Sequence, residues 1–399
     1  MKPIIRFRQY NKEWRPFKLN TILVPSNEKN TKGLYSKNDV LSVSGEAGIV
    51  NQIAFQGRSF AGASVLNYGV VNTNDIVYTK SPLRNNPYGI IKTNNGPSGI
   101  VSTLYAIYNC CEESCPQFVD TYFTSSSRTN NYLRPLVRKG AKNDMKVSSE
   151  GALQGNVIFP YKDEQIEIAS YFRTLDAKLQ ASAKKVDSLK KLKSASLVAM
   201  FPQQGETIPK VRFKGFEGEW STSNLGSIFA ERIESNENGE MLSVTMNNGI
   251  IRSSDNGRFD NSNSDKSKYK VVKIGDIAYN SMRMWQGASG VSQYEGIVSP
   301  AYTVVTSRID VDTDFFGYLF KTDDVIRLFK LNSQGLTSDN WNLKYPAFSR
   351  ICVSYPKSKE EQQSIAAFFR TLDRKIALET ARLEKLKQIK LACLDKMFV

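Results

Sequence analysis

The sequence predicts an α+β protein in which two pseudo-symmetric globular α/β domains are separated by two long antiparallel helices forming a coiled coil. Three observations carry this. Residues 161–201 align without a gap to residues 358–398, with 18 identities in 41 positions, among them Phe172-Arg173-Thr174-Leu175-Asp176 over Phe369-Arg370-Thr371-Leu372-Asp373. Both segments repeat apolar residues at alternating spacings of four and three, the seam of a helix that packs on another helix. Smaller islands match at nearly the same offset: Gly99-Ile100-Val101-Ser102 with Gly296-Ile297-Val298-Ser299, Asn74-Asp75-Ile76-Val77-Tyr78 with Gly275-Asp276-Ile277-Ala278-Tyr279, and Arg6-Phe7-Arg8 before Trp14 with Arg212-Phe213-Lys214 before Trp220. The 399 residues are therefore a tandem copy of one unit.

Residues 1–160 form the first domain. Runs of β-branched and aromatic residues at 75–78 and 101–108 read as strands, and 83–99, rich in Asn and Gly, reads as a loop. Residues 161–201 are the first helix. Its seam holds Ile168, Phe172, Leu175, Leu179, Val186, Leu189 and Met200, with Ser182, Lys193 and Ser196 as polar breaks. Asp163 is the residue placed to cap its start, and Pro202, unable to continue a helix, stops it.

A linker at 202–209 leads to the second domain, 210–357. There 302–305 reads as a strand, 315–330 as one helix and 247–268 as a loop. Residues 358–399 are the second helix, opened by Ser358 and Glu361 at capping-box spacing. Its seam holds Ile365, Phe369, Leu372, Ile376, Leu383, Leu386, Cys393 and Met397, with Glu379 and Lys390 as polar breaks. At 1.5 Å per residue each helix is up to about 60 Å long. So exposed an apolar stripe needs a partner. A pseudo-two-fold axis between the copies brings the helices together antiparallel; the same spacing also suits two helices each packed on its own domain.

Composition narrows the function. Lys and Arg number 54 against 39 Asp and Glu, a net charge of +15 that points to a polyanion, nucleic acid first and an acidic protein second. The chain has no His, which excludes Ser-His-Asp and Cys-His chemistry and the commonest metal ligand. Five Cys, three of them at Cys110, Cys111 and Cys115, do not make two well-spaced pairs, so free thiols are expected and a metal site is not. No apolar run reaches about 18 residues, the length a membrane helix needs. With reduced thiols, the expectation is a cytoplasmic protein, neither secreted nor membrane-spanning.

Catalytic motifs are weak. Phe60-Ala61-Gly62-Ala63-Ser64 and Asn86-Pro87-Tyr88 resemble, imperfectly, the cofactor loop and the Asn-Pro-Pro-aromatic motif of amino-methyltransferases, but one Gly and one Pro are missing and no β-α-β pattern lies between them. Glu28, Asp39, Glu46 and Asp75 are scattered rather than grouped as a nuclease would require, and no phosphate-binding Gly-Lys-Ser loop is present.

Binding is what remains. Base edges in the major groove are read by Arg, Lys, Asn and Gln, whose groups pair bidentately with G or A. Such residues follow the matched Asp-Ile-x-Tyr strand in both copies: Lys80, Arg84, Asn85 and Asn86 in the first, Asn280, Arg283, Trp285 and Gln286 in the second. Lys92, Arg252 and Arg258 are further candidates. A solvated polar loop is the plain alternative, but different readers at one scaffold position are what two half-sites require.

Two divergent domains alternating with two matched helices, each opening Glu164-Gln165 or Glu361-Gln362 and continuing to Leu175-Asp176 or Leu372-Asp373, resemble the specificity subunit of a type I DNA restriction-modification enzyme. The segment from Arg212 to Trp220 is also typical of that family, whereas the first copy departs from it with Gln9 and Lys12 in place of Gly215 and Gly218. The resemblance implies that each domain is a target-recognition domain for one half of a bipartite, asymmetric site in double-stranded DNA. It implies helices that set the spacer and dock two modification subunits. Those would carry S-adenosylmethionine and methylate adenine N6, and restriction subunits would hydrolyse ATP with Mg and cleave. This chain would then hold no cofactor, no catalytic residue and no membrane contact. A stand-alone adenine methyltransferase and a basic protein scaffold without DNA specificity are the competing readings.

Overall fold

The computed structural model describes residues 1–83, 85–139, 145–246, 248–256, 265–337 and 340–399. The chain divides into two compact units, one made of Met1–Ala183 with Ala381–Val399, the other of Lys184–Thr380. Each unit holds one globular domain, the first part of the long helix that follows it, and the last part of the other long helix.

The two domains share one topology. In the first unit an antiparallel sheet runs in the order Leu23–Pro25, Tyr105–Cys110, Ile76–Thr79, Ile91–Thr93; in the second, Phe229–Glu231, Tyr302–Ser307, Ile277–Asn280, Ser289–Val291. Alternation along the central strand divides two cores. Ile76 and Tyr78 face the helices, among Phe118, Tyr122 and Phe172, while Val77 faces a second layer with Leu41, Val71, Val101 and Ile107. In the second unit Ile277 and Tyr279 face Phe315, Phe348 and Phe369, and Ala278 faces Leu242, Val272 and Val298.

The matched islands have structural causes. Gly99 and Gly296 open equivalent strands where another segment passes so close that a Cβ would lie 2.5 Å from the Asp39 carbonyl oxygen or 2.3 Å from that of Glu240. Asp75 and Asp276 close the turn before the central strand, accepting from the Asn72 amide at 2.7 Å and the Lys273 amide at 2.8 Å. Asp75 is thereby a structural carboxylate, and burial holds its pKa above the usual value.

The long helices run Lys162–Ala199 and Lys359–Lys396. Within each unit they lie antiparallel. In the first, Tyr171 meets Cys393 at 3.4 Å and Asp176 meets Lys390 at 2.5 Å; in the second, Lys185 meets Glu379 at 2.9 Å and Lys193 meets Asp373 at 2.5 Å. Ile168, Phe172, Leu175, Val186, Ile365, Phe369 and Leu372 are buried on the seam, and Leu179, Leu189, Ile376, Leu383 and Leu386 are half-buried. The polar breaks Lys193 and Lys390 pair with the Asp of the repeated Leu-Asp, a reciprocal contact made once in each unit. Each helix also ends in the core of the other unit's domain: Met397 and Phe398 pack with Trp14 and Phe118, Met200 and Phe201 with Trp220 and Phe315. Helices packed solely on their own domains are therefore set aside.

Several local expectations change. The run 101–108 is two strands, Gly99–Val101 and Tyr105–Cys110, split by a turn in which the Tyr105 amide donates to the Ser102 carbonyl. The loop 83–99 contains the strand Ile91–Thr93, and 247–268 contains Gly249–Arg252. The single helix expected at 315–330 is two, Thr313–Leu319 and Asp323–Asn332; Thr322 is extended between them, its hydroxyl bonded to the Leu319 carbonyl at 2.8 Å. At the second long helix the Ser358 hydroxyl accepts from the Glu361 amide, but the Glu361 carboxylate is engaged elsewhere, so only half of the capping box forms. All five cysteines are free thiols.

Candidate nucleic-acid interface

The start of each long helix fixes its domain. Glu164 accepts Arg6 Nε and Nη2, both at 2.7 Å, and Glu361 accepts Arg212 Nε and Nη2 at the same distances. These carboxylates are buried, and a planar guanidinium is the cation that satisfies both oxygens at once. Hydrogen bonding to Glu164 raises the Arg6 pKa. Each guanidinium also donates to a carbonyl in its own loop, Lys12 at 2.5 Å or Gly218 at 2.6 Å. The neighbouring amides do the same job deeper in: Gln165 accepts from the Cys115 amide at 2.9 Å, Gln362 from the Asp312 amide at 2.8 Å. Glu-Gln at the helix start is thus the clasp between helix and domain.

The first copy's departure from the Arg-to-Trp pattern is compensated. Gly215 and Gly218 have φ of 97° and 80°, a backbone that favours glycine. In the first copy Gln9 and Tyr10 instead bind the Glu167 carboxylate, at 2.9 and 2.8 Å, where the second copy has Ser364. Burial and Glu167 together push the Tyr10 hydroxyl up to about 12.

On this frame the two candidate loops occupy one position. Strand Ile76–Thr79 pairs with Ile91–Thr93, and Ile277–Asn280 with Ser289–Val291, so residues 80–90 and 281–288 are the connections of equivalent hairpins. In the first, Leu83 and Asn86 exchange backbone hydrogen bonds at 3.0 and 3.1 Å, Asn85 is exposed, Lys80 is half-buried, and Asn86 Oδ1 is buried with no partner among the described residues. Arg84 lies outside the described residues, as does Arg258. In the second, Met284–Gln286 is a short 3₁₀ turn, Asn280 accepts from the Met282 amide at 3.0 Å, and the Trp285 indole donates to the Met282 carbonyl at 3.1 Å. Trp285 packs edge-on against Trp341 at 5.2 Å; Arg283 is exposed and Gln286 half-buried beside them.

Lys92 and Arg252 stand apart from these tips. Lys92 is buried, its ammonium 3.6 Å from Asp120 Oδ1 and 3.4 Å from the Thr124 hydroxyl. Arg252 is exposed on a different hairpin, paired with Glu240 at 3.1 Å and lying over the Tyr294 ring. Sequence reasoning missed Lys321, which donates to the carbonyls of Gly287, Ser289 (2.9 Å) and Met246 (3.4 Å) and so holds the second hairpin from below. Burial, with the Lys193 charge nearby, lowers its pKa to about 8. Its sequence neighbours carry no sign of this role, because the acceptors are backbone carbonyls.

The methyltransferase-like pieces are each absorbed locally. The Phe60 amide donates to Gln52 at 2.6 Å, the Gly62 amide to the Tyr68 hydroxyl at 3.3 Å, and the Tyr88 carbonyl accepts from Tyr78 at 2.8 Å.

Residues 217–388 match the family described as the type I restriction modification DNA specificity domain. Over its whole length the chain is similar to the crystal structure of the type I restriction-modification system S subunit from M. genitalium, with 15% identity, a TM-score of 0.59, and coverage of 100% of this chain and 99% of that one. It is also similar to the HsdS subunit from Thermoanaerobacter tengcongensis, with 17% identity, a TM-score of 0.47 and 98% of each chain covered. No curated protein matches it. The family match covers the second copy, and the first shares the sequence repeat and the sheet order with it. Two copies of one α+β unit, the second matching a DNA specificity domain, define the class as a DNA sequence-recognition protein. Residues 217–388 are therefore a type I restriction-modification DNA specificity domain, and the full-length likeness shows that the chain as a whole shares the fold of an S subunit. Among the described residues no helix is long and apolar enough to cross a membrane.

Proposed function

We propose that the two hairpin connections, residues 80–90 and 281–288, each read one half of a bipartite, asymmetric site in double-stranded DNA. The observation that carries this is their equivalence: one scaffold position, after one matched strand, presents Lys80, Asn85 and Asn86 in one unit and Arg283, Trp285 and Gln286 in the other. The charge of +15 supplies phosphate attraction that holds the duplex irrespective of sequence. Modification subunits, two in number, dock on the long helices and bring S-adenosylmethionine for adenine methylation; restriction subunits bring ATP and Mg. The chain itself contributes recognition and no cofactor. Mapping adenine methylation in the host with and without this gene tests the reading, which requires a two-part motif that disappears on deletion.

Arg283→Ala is expected to relax only the half-site read by the second unit, at a cost of about 1–3 kcal/mol in discrimination. Uniform weakening over all sequences would make Arg283 a phosphate contact instead. The helices set the spacer in this reading. Removing one heptad from each shortens it by about 10 Å at 1.5 Å per residue, or about three base pairs at 3.4 Å. Methylated-site mapping should then show the same two halves with a shorter gap; an unchanged gap ends the ruler idea.

A further inference from the structure

We propose that Lys321 and Lys92 are positioning residues that tie the recognition hairpin of each unit to the corner between its two short helices, one tie being built in the reverse sense of the other. The inference rests on the hairpins being the reading elements. Register makes the comparison residue by residue. Ile91 lies opposite Tyr78 as Ser289 lies opposite Tyr279, so Lys92 and Gly290 are equivalent. The helices Pro116–Tyr122 and Thr313–Leu319 are each followed by a buried Phe, Phe123 and Phe320, so Thr124 is equivalent to Lys321 and Asp120 to Gly317.

In the first unit the lysine stands on the hairpin and reaches the corner. Lys92 meets Asp120 and Thr124, and Asp120 also accepts the Thr93 amide at 3.2 Å. In the second unit a lysine cannot stand on the hairpin. A Cβ at Gly290 would lie 2.7 Å from Gly249 Cα and 2.8 Å from the Ile250 nitrogen, backbone atoms of the adjacent hairpin. Nor is there room for a carboxylate at 317, where a Cβ would lie 2.7 Å from Val291 Cγ2. The cation instead stands on the corner and reaches the hairpin: Lys321 donates to the carbonyls of Gly287 and Ser289, where the connection enters the returning strand, and to that of Met246 in the adjacent hairpin. Gly287 has φ of 79°, so its carbonyl direction is set by a left-handed turn that the ammonium holds in place. Both lysines fix the base of a loop whose tip carries the reading side chains. Small errors at the base become ångström errors at the tip, enough to spoil bidentate base contacts.

The test replaces the chain in its host by full-length Lys321→Met or Lys92→Met and maps methylated sites. Lys321→Met is expected to make the second half of the motif degenerate, with discrimination falling about tenfold, while the first half and the methylation of intact sites stay within about twofold. Lys92→Met should do the converse. The milder Lys321→Gln and Asp120→Asn are run beside them, so that loss of folding in the Met variants does not decide the matter. Equal weakening of both halves, or an unchanged motif, in the milder pair overturns the proposal. Arg283→Ala in the same assay separates the two levels: if it acts on the second half and Lys321→Gln does not, positioning fails alone; if neither acts, the hairpin reading fails with it.

Discussion

Glu361→Ala should destabilise the second unit by about 3–5 kcal/mol, the usual cost of removing one partner of a buried ion pair. The carboxylate is 1% exposed at residue level and holds Arg212 through two hydrogen bonds of 2.7 Å, with the Trp220 indole at 3.4 Å. Without it the guanidinium, itself largely covered, keeps one carbonyl acceptor at Gly218 and loses its counter-charge. Native-state hydrogen exchange at the buried strand Ile277–Asn280 reports the opening free energy of this unit and is the measurement to make. Replacing both partners, Arg212→Met with Glu361→Leu, should recover much of the loss, because no charge is then left buried. A loss under 1 kcal/mol in the single variant would show that solvent reaches the site freely. Glu164→Ala should act in the same way on the first unit, through Arg6.

Phe398→Ala should cost the first unit about 3–5 kcal/mol, as expected for an aromatic deleted from a packed core. Phe398 lies 5.7 Å from the Phe118 ring, 5.9 Å from Tyr122 and 6.0 Å from Phe172, and the Arg128 guanidinium covers its face at 4.6 Å. Exchange should quicken at Ile76–Thr79, more than 300 residues away in sequence, and not at Ile277–Asn280. Phe201→Ala should give the mirror result, since Phe201 fills the second core against Trp220, Phe315 and Phe369. If Phe398→Ala quickens both strands alike, the units do not open independently.

Much of the fold was legible because the chain states it twice. The seam from Ile168 to Met200 and from Ile365 to Met397 is a local periodicity, and periodicity survives any tertiary context. The hairpins were half legible: the matched Asp-Ile-x-Tyr strand located the loops, but the returning strands, Ile91–Thr93 and Ser289–Val291, are three residues each and lack a pattern of their own. The helix expected from Phe315 to Lys330 failed for a similar reason. Its composition suits a helix throughout, and the break is made by the Thr322 hydroxyl and by two aspartates restarting the next helix, choices that compete closely in free energy. Lys92 was a reasonable surface cation by type and proved buried because Asp120, on another element, supplies its counter-charge.

The sequence by itself determined the duplication, the two seam helices, the class of fold and the absence of histidine chemistry, since identity, spacing and composition are properties of the chain alone. Only the tertiary structure decided that Glu164 and Glu361 clasp Arg6 and Arg212, that Phe398 completes the first core and Phe201 the second, and that Lys321 holds a hairpin that Lys92 holds in the other copy. These pairings join distant segments or use backbone carbonyls as acceptors. Burial and geometry select them, and a one-dimensional pattern carries neither.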